Sequence, residues 1–392
     1  MGFLIGSAYG FGVIMARSFG AGDFKEFRKY FFNSIILSII IGIVFTIVLS
    51  LVNSYLLKLI STPAELFDGA HKFLFILYIG CASSLIYNLF AATLRSIGNS
   101  FTPVLFLLLS VVINAILAYV FVAIFSWGVE GSAVATIIAQ AASALCCYIY
   151  INRKYPQIRL TKQDAALDIS HMKNLILQGA PMGMQFSFTG IGLIVVQKFL
   201  NGFGTNYIAG YSVGVRIQNI VSYVYVALGT AISTFISQNI GAKRMYRIPK
   251  AVKYTTLITI GCAIFSTIVI RFFGPNFISL FTTAPNEELT HATVTYFNNV
   301  TLAYIPLGLI ILYRSALQGY GFPITAMMAG IIELINRVVI VIFLTDSFGF
   351  LAICLADSVN WVITAVFLLT VYFIATRSHK NKNKEFYIEP SM

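Results

Sequence analysis

Residues 31–52 read FFNSIILSIIIGIVFTIVLSLV, a run of 22 residues without a single charged side chain. As an α-helix, this stretch would be about 33 Å long, which is close to the thickness of the hydrocarbon core of a bilayer. Such a length without charge is typical of a helix surrounded by lipid. The stretch therefore predicts a membrane-spanning helix.

The composition extends this prediction to the whole chain. Of its 392 residues, 58% are hydrophobic and only 10% are charged, and the mean hydropathy is +0.85. Soluble domains carry about 25% charged residues, so this composition excludes a soluble enzyme, a disordered chain, a coiled coil and a collagen. The apolar runs are near 20 residues long, whereas barrel strands need ~10. We therefore predict an all-α integral membrane protein.

Eleven apolar runs are bounded by charged residues, glycine or proline, and we interpret each as a membrane-spanning helix. No basic segment precedes the first run, which argues against a cleaved signal peptide. The predicted limits are 3–19, 31–52, 73–94, 103–125, 132–151, 174–199, 207–237, 252–272, 293–313, 324–344 and 349–375.

The basic residues alternate between the loops. One side collects 19 Lys and Arg residues, with Arg95 and Arg314 marking two of its turns, and the other side collects four. The positive-inside rule places the 19-charge side, with loop 152–173 and the C-terminal tail, in the cytoplasm, and it leaves Met1 outside. The net charge of +12 is thus explained by topology and not by a single basic patch, so we expect no nucleic-acid partner.

Three segments recur in the same order along the chain. Residues 16–21 align with 237–242 at an offset of 221, and residues 94–98 align with 317–321 at an offset of 223. The third match, Trp127 to Val129 against Phe348 to Phe350, returns to an offset of 221. The repeat keeps the polarity of the loops, which predicts two parallel helix bundles.

The repeat also predicts halves of unequal length. The first-half partner of run 174–199 would fall before Met1, so we expect a twelve-helix plan in which this chain lacks the first helix and part of the second. The predicted division is a bundle of five helices, a cytoplasmic linker, a bundle of six helices and a basic cytoplasmic tail. The corresponding limits are 1–152, 153–173, 174–376 and 377–392.

Glu333 and Arg337 are ionisable residues inside a predicted span, where each charge costs ~2.5–3.5 kcal/mol, and they lie four residues apart on one helix face. Two interpretations stay open: a mutually neutralising pair, or a carboxylate that couples transport. If the pair is mutually neutralising, Glu333→Gln should lower the amount of folded protein in the membrane, and replacing both residues with apolar ones should restore it. Asp357, in the last span, has no local partner and could line the pathway or make a buried hydrogen bond.

Uncharged amides form a second set of intramembrane polar residues. The set consists of Asn114, Gln140, Gln185, Gln197, Gln218, Asn219 and Asn360. Interhelical hydrogen bonds would account for most of them. Gln185 differs because it follows Pro181, which interrupts its helix. The candidate residues of a substrate or ion pathway are Glu333, Arg337, Asp357, Gln185, Asn114, Gln140 and Gln197.

Enzyme and metal chemistry is not expected. Residues 210–214 match the G-x-S-x-G pattern, but they lie in an apolar run without a nearby histidine base, and the chain has no nucleotide-binding P-loop motif. The four histidines and five cysteines are dispersed, which predicts neither a metal site, a cofactor nor a disulfide. The 34 Phe and 21 Tyr residues could supply a cavity for flat organic cations.

Four segments, 94–103, 128–136, 201–217 and 237–243, resemble the multidrug and toxic compound extrusion (MATE) transporters. The likeness covers essentially the whole chain. It implies an antiporter of the plasma membrane that exports drugs or organic cations in exchange for Na⁺ or H⁺. On this basis we expect a monomer whose partners are small organic cations and the lipid bilayer.

Two positions depart from the family pattern. The family's first helix carries an acidic residue, and that helix is absent here, while Ala118 stands where many relatives have Asp four residues after the position of Asn114. Two alternatives stay open: a lipid-linked oligosaccharide flippase of the same architecture, and a truncated product that does not transport. A flippase cavity should be basic, and only Arg216 and Arg337 lie clearly inside the spans, which favours the exporter.

Overall fold

The chain folds as an assembly of α-helices. The computed structural model describes residues 2–59, 62–279, 281 and 286–388, and every regular element in that part of the chain is helical. Ten of these helices are long and apolar enough to cross a membrane, and a bent helix pair makes an eleventh span. The predicted outside position of Met1 and the last four residues of the predicted tail lie outside the described residues.

The helices divide into two compact units, and the division falls between Gly183 and Met184. The N-terminal unit contains six complete helices and the start of a seventh. These are α1 (Gly2–Gly20), α2 (Phe24–Leu59), α3 (Ala64–Ile79), α4 (Cys81–Ser96), α5 (Phe101–Tyr119), α6 (Gly128–Lys154) and α7 (Ile169–Leu200).

The C-terminal unit contains the rest of α7 and six further helices. A 3₁₀ turn, Thr301–Ala303, joins two of them into one span. The six are α8 (Thr205–Gly241), α9 (Ile248–Ile278), α10 (Glu287–Val300), α11 (Tyr304–Tyr320), α12 (Pro323–Phe348) and α13 (Phe350–Lys382).

The boundary between the units lies inside α7 and not in the loop 153–173, where the sequence suggested a linker. The first half of α7 packs against α1, where a Cβ atom on Gly10 would lie only 2.6 Å from the Cα atom of Gly179. Small residues allow such close approach of two helices. An apolar run reveals where a helix ends but not which bundle each half of it contacts, so the sequence could not place this boundary.

The eleven predicted spans agree in number with the ten helices and the bent pair, but their limits differ. Run 31–52 extends in both directions to form all of α2. Run 73–94 is two helices, because α3 and α4 meet at Gly80 with a bend of 46°. The last helix continues past residue 376 to Lys382, so the start of the predicted tail is helical.

The internal repeat extends to the backbone conformation. Gly98 and Gly321 follow equivalent helices and have φ values of 89° and 93°. Gly128, the first residue of α6, and Gly349, just before α13, have φ values of 60° and 56°. Because residues with a Cβ atom rarely adopt this left-handed region, the matched glycines are required by matched turns. The repeat read from the sequence is therefore also a repeat of structure.

Candidate functional site

Glu333 lies near the middle of α12 and is contacted from two neighbouring helices. Arg314 of α11 donates from Nη2 to Glu333 Oε1, and the hydroxyl of Thr189 on α7 donates to Oε2 at 3.2 Å. Arg337, one turn along α12, places Nη1 3.7 Å from the same Oε2 atom. The carboxylate side chain is only 5% exposed. Glu333 is thus a buried acid that faces two guanidinium groups.

Arg337 also reaches a second acid. Its Nε atom lies 3.1 Å from Oδ1 of Asp357 on α13, and both side chains are 5% exposed. The expectation that Asp357 lacks a partner holds only within its own helix, because α13 packs along α12 and brings the two residues together. We call Arg314, Glu333, Arg337 and Asp357 the charge cluster.

Arg314 is the member whose environment the sequence misjudged. The charge pattern predicts a cytoplasmic turn at Arg314, whereas α11 continues to Tyr320 and the Arg314 side chain is 12% exposed. The cluster contains two carboxylates and two guanidinium groups, so its formal charges balance. Pairing each charge with an opposite one offsets part of the cost of burying it. No group of His, Cys, Asp or Glu able to hold a metal ion occurs within the described part of the chain.

Aromatic rings and a glycine surround the Arg337–Asp357 pair. Tyr211 of α8 and Tyr296 of α10 pack edge to face with ring centroids 5.0 Å apart, and both interact electrostatically with Asp357. A Cβ atom on Gly192 of α7 would lie 3.3 Å from Cδ of Arg337, so the arginine stem runs close to the α7 backbone. These neighbours keep the pair in an apolar environment, where electrostatic interactions are strong.

Gln185 is linked to the charge cluster through its own helix. Gln318 of α11 donates from Nε2 to Gln185 Oε1 at 2.9 Å, and both side chains are buried. One turn further along α7, the Thr189 hydroxyl lies 3.2 Å both from the Gln185 carbonyl oxygen and from Glu333 Oε2. Gln318, Gln185, Thr189 and Glu333 are therefore polar neighbours, linked partly through the backbone carbonyl of Gln185.

The other three predicted site residues lie apart from these neighbours. Asn114 belongs to the N-terminal unit, where its Nδ2 donates to the Thr136 hydroxyl at 3.0 Å. Gln140 lies half-buried on α6. Gln197 is exposed near the end of α7 and donates to Asn201 at 2.8 Å. Of the seven candidates, the structure thus brings together Glu333, Arg337, Asp357 and Gln185.

Arg314, Thr189 and Gln318 join the site although sequence reasoning did not select them. Thr189 and Gln318 carry no charge and gave no signal. Arg314 did give one, because it follows the run YIPLGLIILY of residues 304–313 and the next four residues, 315–318, contain no glycine or proline to end the helix. A charged residue that an apolar helix continues past is a candidate for burial.

The loop 152–173 forms a separate polar cluster at one end of the N-terminal unit. Arg28 of α2 binds Asp164 through Nε at 2.9 Å. Burial alone would raise the pKa of Asp164, but the amide and hydroxyl of Thr161 and the Arg28 guanidinium donate to its carboxylate and lower that pKa below its ordinary value. This contact holds the loop onto α2, and it involves none of the candidate site residues.

With this geometry established, comparison with known proteins gives the family. The MatE family model matches residues 1–120 and 181–343, which is most of the chain. Members of this family are transporters and not enzymes. The matched regions include the whole of α11 and the two α12 members of the charge cluster, whereas Asp357 lies just beyond the second region.

Two relatives of this chain carry different functional names. A probable multidrug resistance protein, YpnP of Bacillus subtilis (strain 168), is 26% identical over 73% of this chain and 64% of its own length. A FAD transporter of Shewanella oneidensis is 23% identical over 84% of this chain and 74% of its own length. This chain therefore spans slightly less than two thirds of the first of these relatives. The family and these relatives do not favour the flippase alternative.

Solved structures agree on the fold. A Vibrio cholerae MATE transporter, VcmN in the bent form, is 20% identical and superposes with a TM-score of 0.85 over 99% of this chain and 87% of that protein. At this identity, the likeness speaks for the fold alone. The family match over most of the chain, the helical architecture and the apolar spans together establish that this chain belongs to the MatE family of membrane transporters.

Proposed function

We propose that this chain is an antiporter of the plasma membrane that exports small organic cations in exchange for Na⁺ or H⁺. Transport would proceed by alternating access between two helix bundles. The family and the name of the Bacillus relative support export of small molecules. The observation that carries the proposal is the charge cluster, because ionisable groups buried inside membrane helices are costly and are typical of ion pathways.

The two acids of the cluster differ in how strongly they are held. Glu333 faces both guanidinium groups and the Thr189 hydroxyl, whereas Arg337 is the one ion-pair partner of Asp357 among the described residues. A proton or Na⁺ at Asp357 would therefore release Arg337, which is already 3.7 Å from Glu333, to pair with that acid. We assign coupling to Asp357 and a structural role to Glu333. A coupling group must differ in charge between the two access states, and Asp357 meets this requirement with the smaller rearrangement.

Orientation and oligomeric state are part of the proposal. With Arg314 inside the bundle, 18 basic residues remain on the proposed cytoplasmic side against four on the other, so the positive-inside argument is almost unchanged. The tail after Arg377 would face the cytoplasm, and the protein would work as a monomer. A cysteine at position 382 that reacts with an impermeant thiol reagent on intact cells would contradict this orientation.

Transport into proteoliposomes tests the proposal. We expect the purified chain to move ethidium against its gradient when a pH or Na⁺ gradient is imposed, and to stop when that gradient is collapsed. Asp357→Asn should keep most of its membrane abundance, because Arg337 can then pair with Glu333, and should keep ethidium binding but lose the response to the gradient. Asp346→Asn is the matched control, because Asp346 is an exposed acid near the end of α12.

Three results would contradict parts of this proposal. Absence of gradient-driven ethidium transport by the unmodified chain would overturn the exporter. Full coupling in Asp357→Asn would overturn the assignment of Asp357. Gradient-driven transport of FAD without transport of ethidium would replace the cationic substrate class with an anionic one, as the Shewanella relative suggests.

A further inference from the structure

A cavity of about 590 Å³ opens at one end of the C-terminal unit, and its lining includes no member of the charge cluster. It lies between α9, α11 and α13, and the turn after α13 contributes Tyr387 to its wall. The His379 ring nitrogen Nδ1 lies 3.1 Å from the Tyr387 hydroxyl, so the segment after α13 folds back against that helix. The cavity is thus a formed feature with walls on several sides.

The rim of this cavity is positively charged. Lys253 of α9 and Arg377 and Lys380 of α13 line it, and all three side chains are exposed. No acidic residue lines it, and no ion pair engages these cations within the described part of the chain. The rim is therefore complementary to an anion.

The floor of the cavity is aromatic and polar. Tyr313 and Tyr372 pack edge to face with centroids 4.9 Å apart, and the Tyr313 hydroxyl lies 3.2 Å from the hydroxyl of Thr256. Hydroxyl groups of this kind can donate to an oxyanion, and the rings give apolar area beside it. The site thus suits a molecule with an anionic oxygen group and apolar parts.

The open side of the cavity is apolar. Leu257 of α9 and Phe373 of α13 are lining residues that are 55% and 61% exposed. On a membrane protein, such outward faces lie against lipid chains. Basic pockets between membrane helices, next to lipid-facing surface, are typical binding places for anionic headgroups.

We propose that this cavity is a binding site for a phospholipid with a negatively charged headgroup. The phosphate and headgroup would lie among Lys253, Arg377 and Lys380, and an acyl chain would run along Leu257 and Phe373. A free phosphate compound shares the headgroup chemistry but not the apolar contacts. Binding at this site does not depend on the proposed transport activity.

Native mass spectrometry and thermal unfolding of the purified chain test the site. We expect phosphatidylglycerol to bind in one saturable step and to raise the unfolding temperature, whereas phosphatidylcholine binds at least tenfold more weakly. The variant Lys253→Gln/Arg377→Gln/Lys380→Gln should lose roughly 10- to 100-fold in phosphatidylglycerol affinity, in proportion to the cations removed. All three positions are exposed, so the fold should be retained.

The matched control is Lys154→Gln/Arg159→Gln/Lys162→Gln, which removes three exposed basic charges from the end of α6 and the following loop. It should change phosphatidylglycerol affinity less than about twofold. An equal loss in both variants would mean diffuse attraction and would overturn the site. Unchanged affinity in the cavity variant would overturn it as well.

Glycerol phosphate and inorganic phosphate separate the two sources of the anion. Neither should raise the unfolding temperature at concentrations where phosphatidylglycerol saturates the site. Stabilisation by either compound to the same extent as by the lipid would replace the phospholipid with a soluble anion. Because these measurements use binding and stability, their failure leaves the transport proposal untouched.

Discussion

The two units use the same helix plan but fill its interior differently. Offsets of 223 for α4 and α5 and 221 for α6 relate the N-terminal unit to α11, α12 and α13. At the positions of Arg314, Glu333, Arg337 and Asp357, the N-terminal unit has Ala91, Ser110, Asn114 and Thr136. The repeat thus aligns four charged residues with four uncharged ones.

One contact is conserved in geometry although its chemistry differs. Asn114 donates to Thr136 at 3.0 Å between α5 and α6, and Arg337 donates to Asp357 at 3.1 Å between α12 and α13. A neutral bond and an ion pair therefore occupy equivalent places in the two bundles. The fold itself does not require charge there. The charge at Arg337 and Asp357 agrees with the coupling role that we propose for Asp357.

The change of offset also has a structural counterpart. The offset falls from 223 to 221 between the second and third repeat matches, so the N-terminal unit has two more residues in this interval than the C-terminal unit. In the N-terminal unit, a π-helix covers Val120–Ile124 at the end of α5. In the C-terminal unit, α12 continues without interruption to Phe348. The wider π turn accommodates additional residues without displacing the following equivalent glycines.

The largest effect is expected from Glu333→Gln. It leaves Arg314 without its acid, while Arg337 keeps Asp357, and an unpaired buried charge costs about 3–5 kcal/mol. We expect a strong loss of folded protein in the membrane and a lower unfolding temperature. The amount of folded protein is measured in purified membranes, and the unfolding temperature is measured in detergent.

The residue that Glu333→Gln leaves unpaired decides which second substitution restores the stability of that variant. Adding Arg314→Gln removes the unpaired charge and should restore most of the stability. Adding Arg337→Gln should not, because both Arg314 and Asp357 would then lack partners. This replaces the expectation from the sequence that removing Glu333 and Arg337 together would suffice. Normal stability of Glu333→Gln alone would show that the cluster is not a structural unit.

A transplanted charge tests the equivalence of the two units. Asn114→Arg places an arginine at the position equivalent to Arg337 and should cost roughly 2.5–3.5 kcal/mol, seen as reduced membrane abundance. Adding Thr136→Asp recreates the ion pair of the C-terminal unit and should recover more than half of the loss. If Thr136→Asp deepens the loss instead, the two contacts are not equivalent.

The smallest effect is expected for the neutral contact itself. Thr136→Val removes the bond to Asn114 and should lower stability by about 0.6 kcal/mol, within an upper limit of ~1.7 kcal/mol. Thr370→Val is the control, because the bond that the Thr370 hydroxyl makes in the described part of the chain is to the Val366 carbonyl of its own helix. Thermal unfolding of both variants in the same detergent measures the difference. A cost for Thr136→Val comparable with that of Glu333→Gln would contradict the contrast between the units.

Residues of the site could be predicted from the sequence where the sequence signal is local. Glu333 and Arg337 were found because they lie four residues apart on one helix, and Gln185 because Pro181 precedes it. Arg314 was not a candidate, and the pairing of Asp357, which was a candidate, with Arg337 was not predicted. Arg314 and Asp357 lie 19 and 20 residues from the residues they bind, on other helices, and such contacts leave no periodic pattern in one sequence.

The sequence by itself determined the membrane class, the number of spans, the repeat and the turns at which glycine is needed. These follow from hydrophobicity, from the length of a helix across a bilayer and from the sterics of the backbone, all of which act locally. Only the tertiary structure decided that α7 is divided between two units, that Arg314 is buried and that Asp357 pairs with Arg337. Those outcomes depend on the rotation and the axial position of each helix against its neighbours, which packing between helices sets.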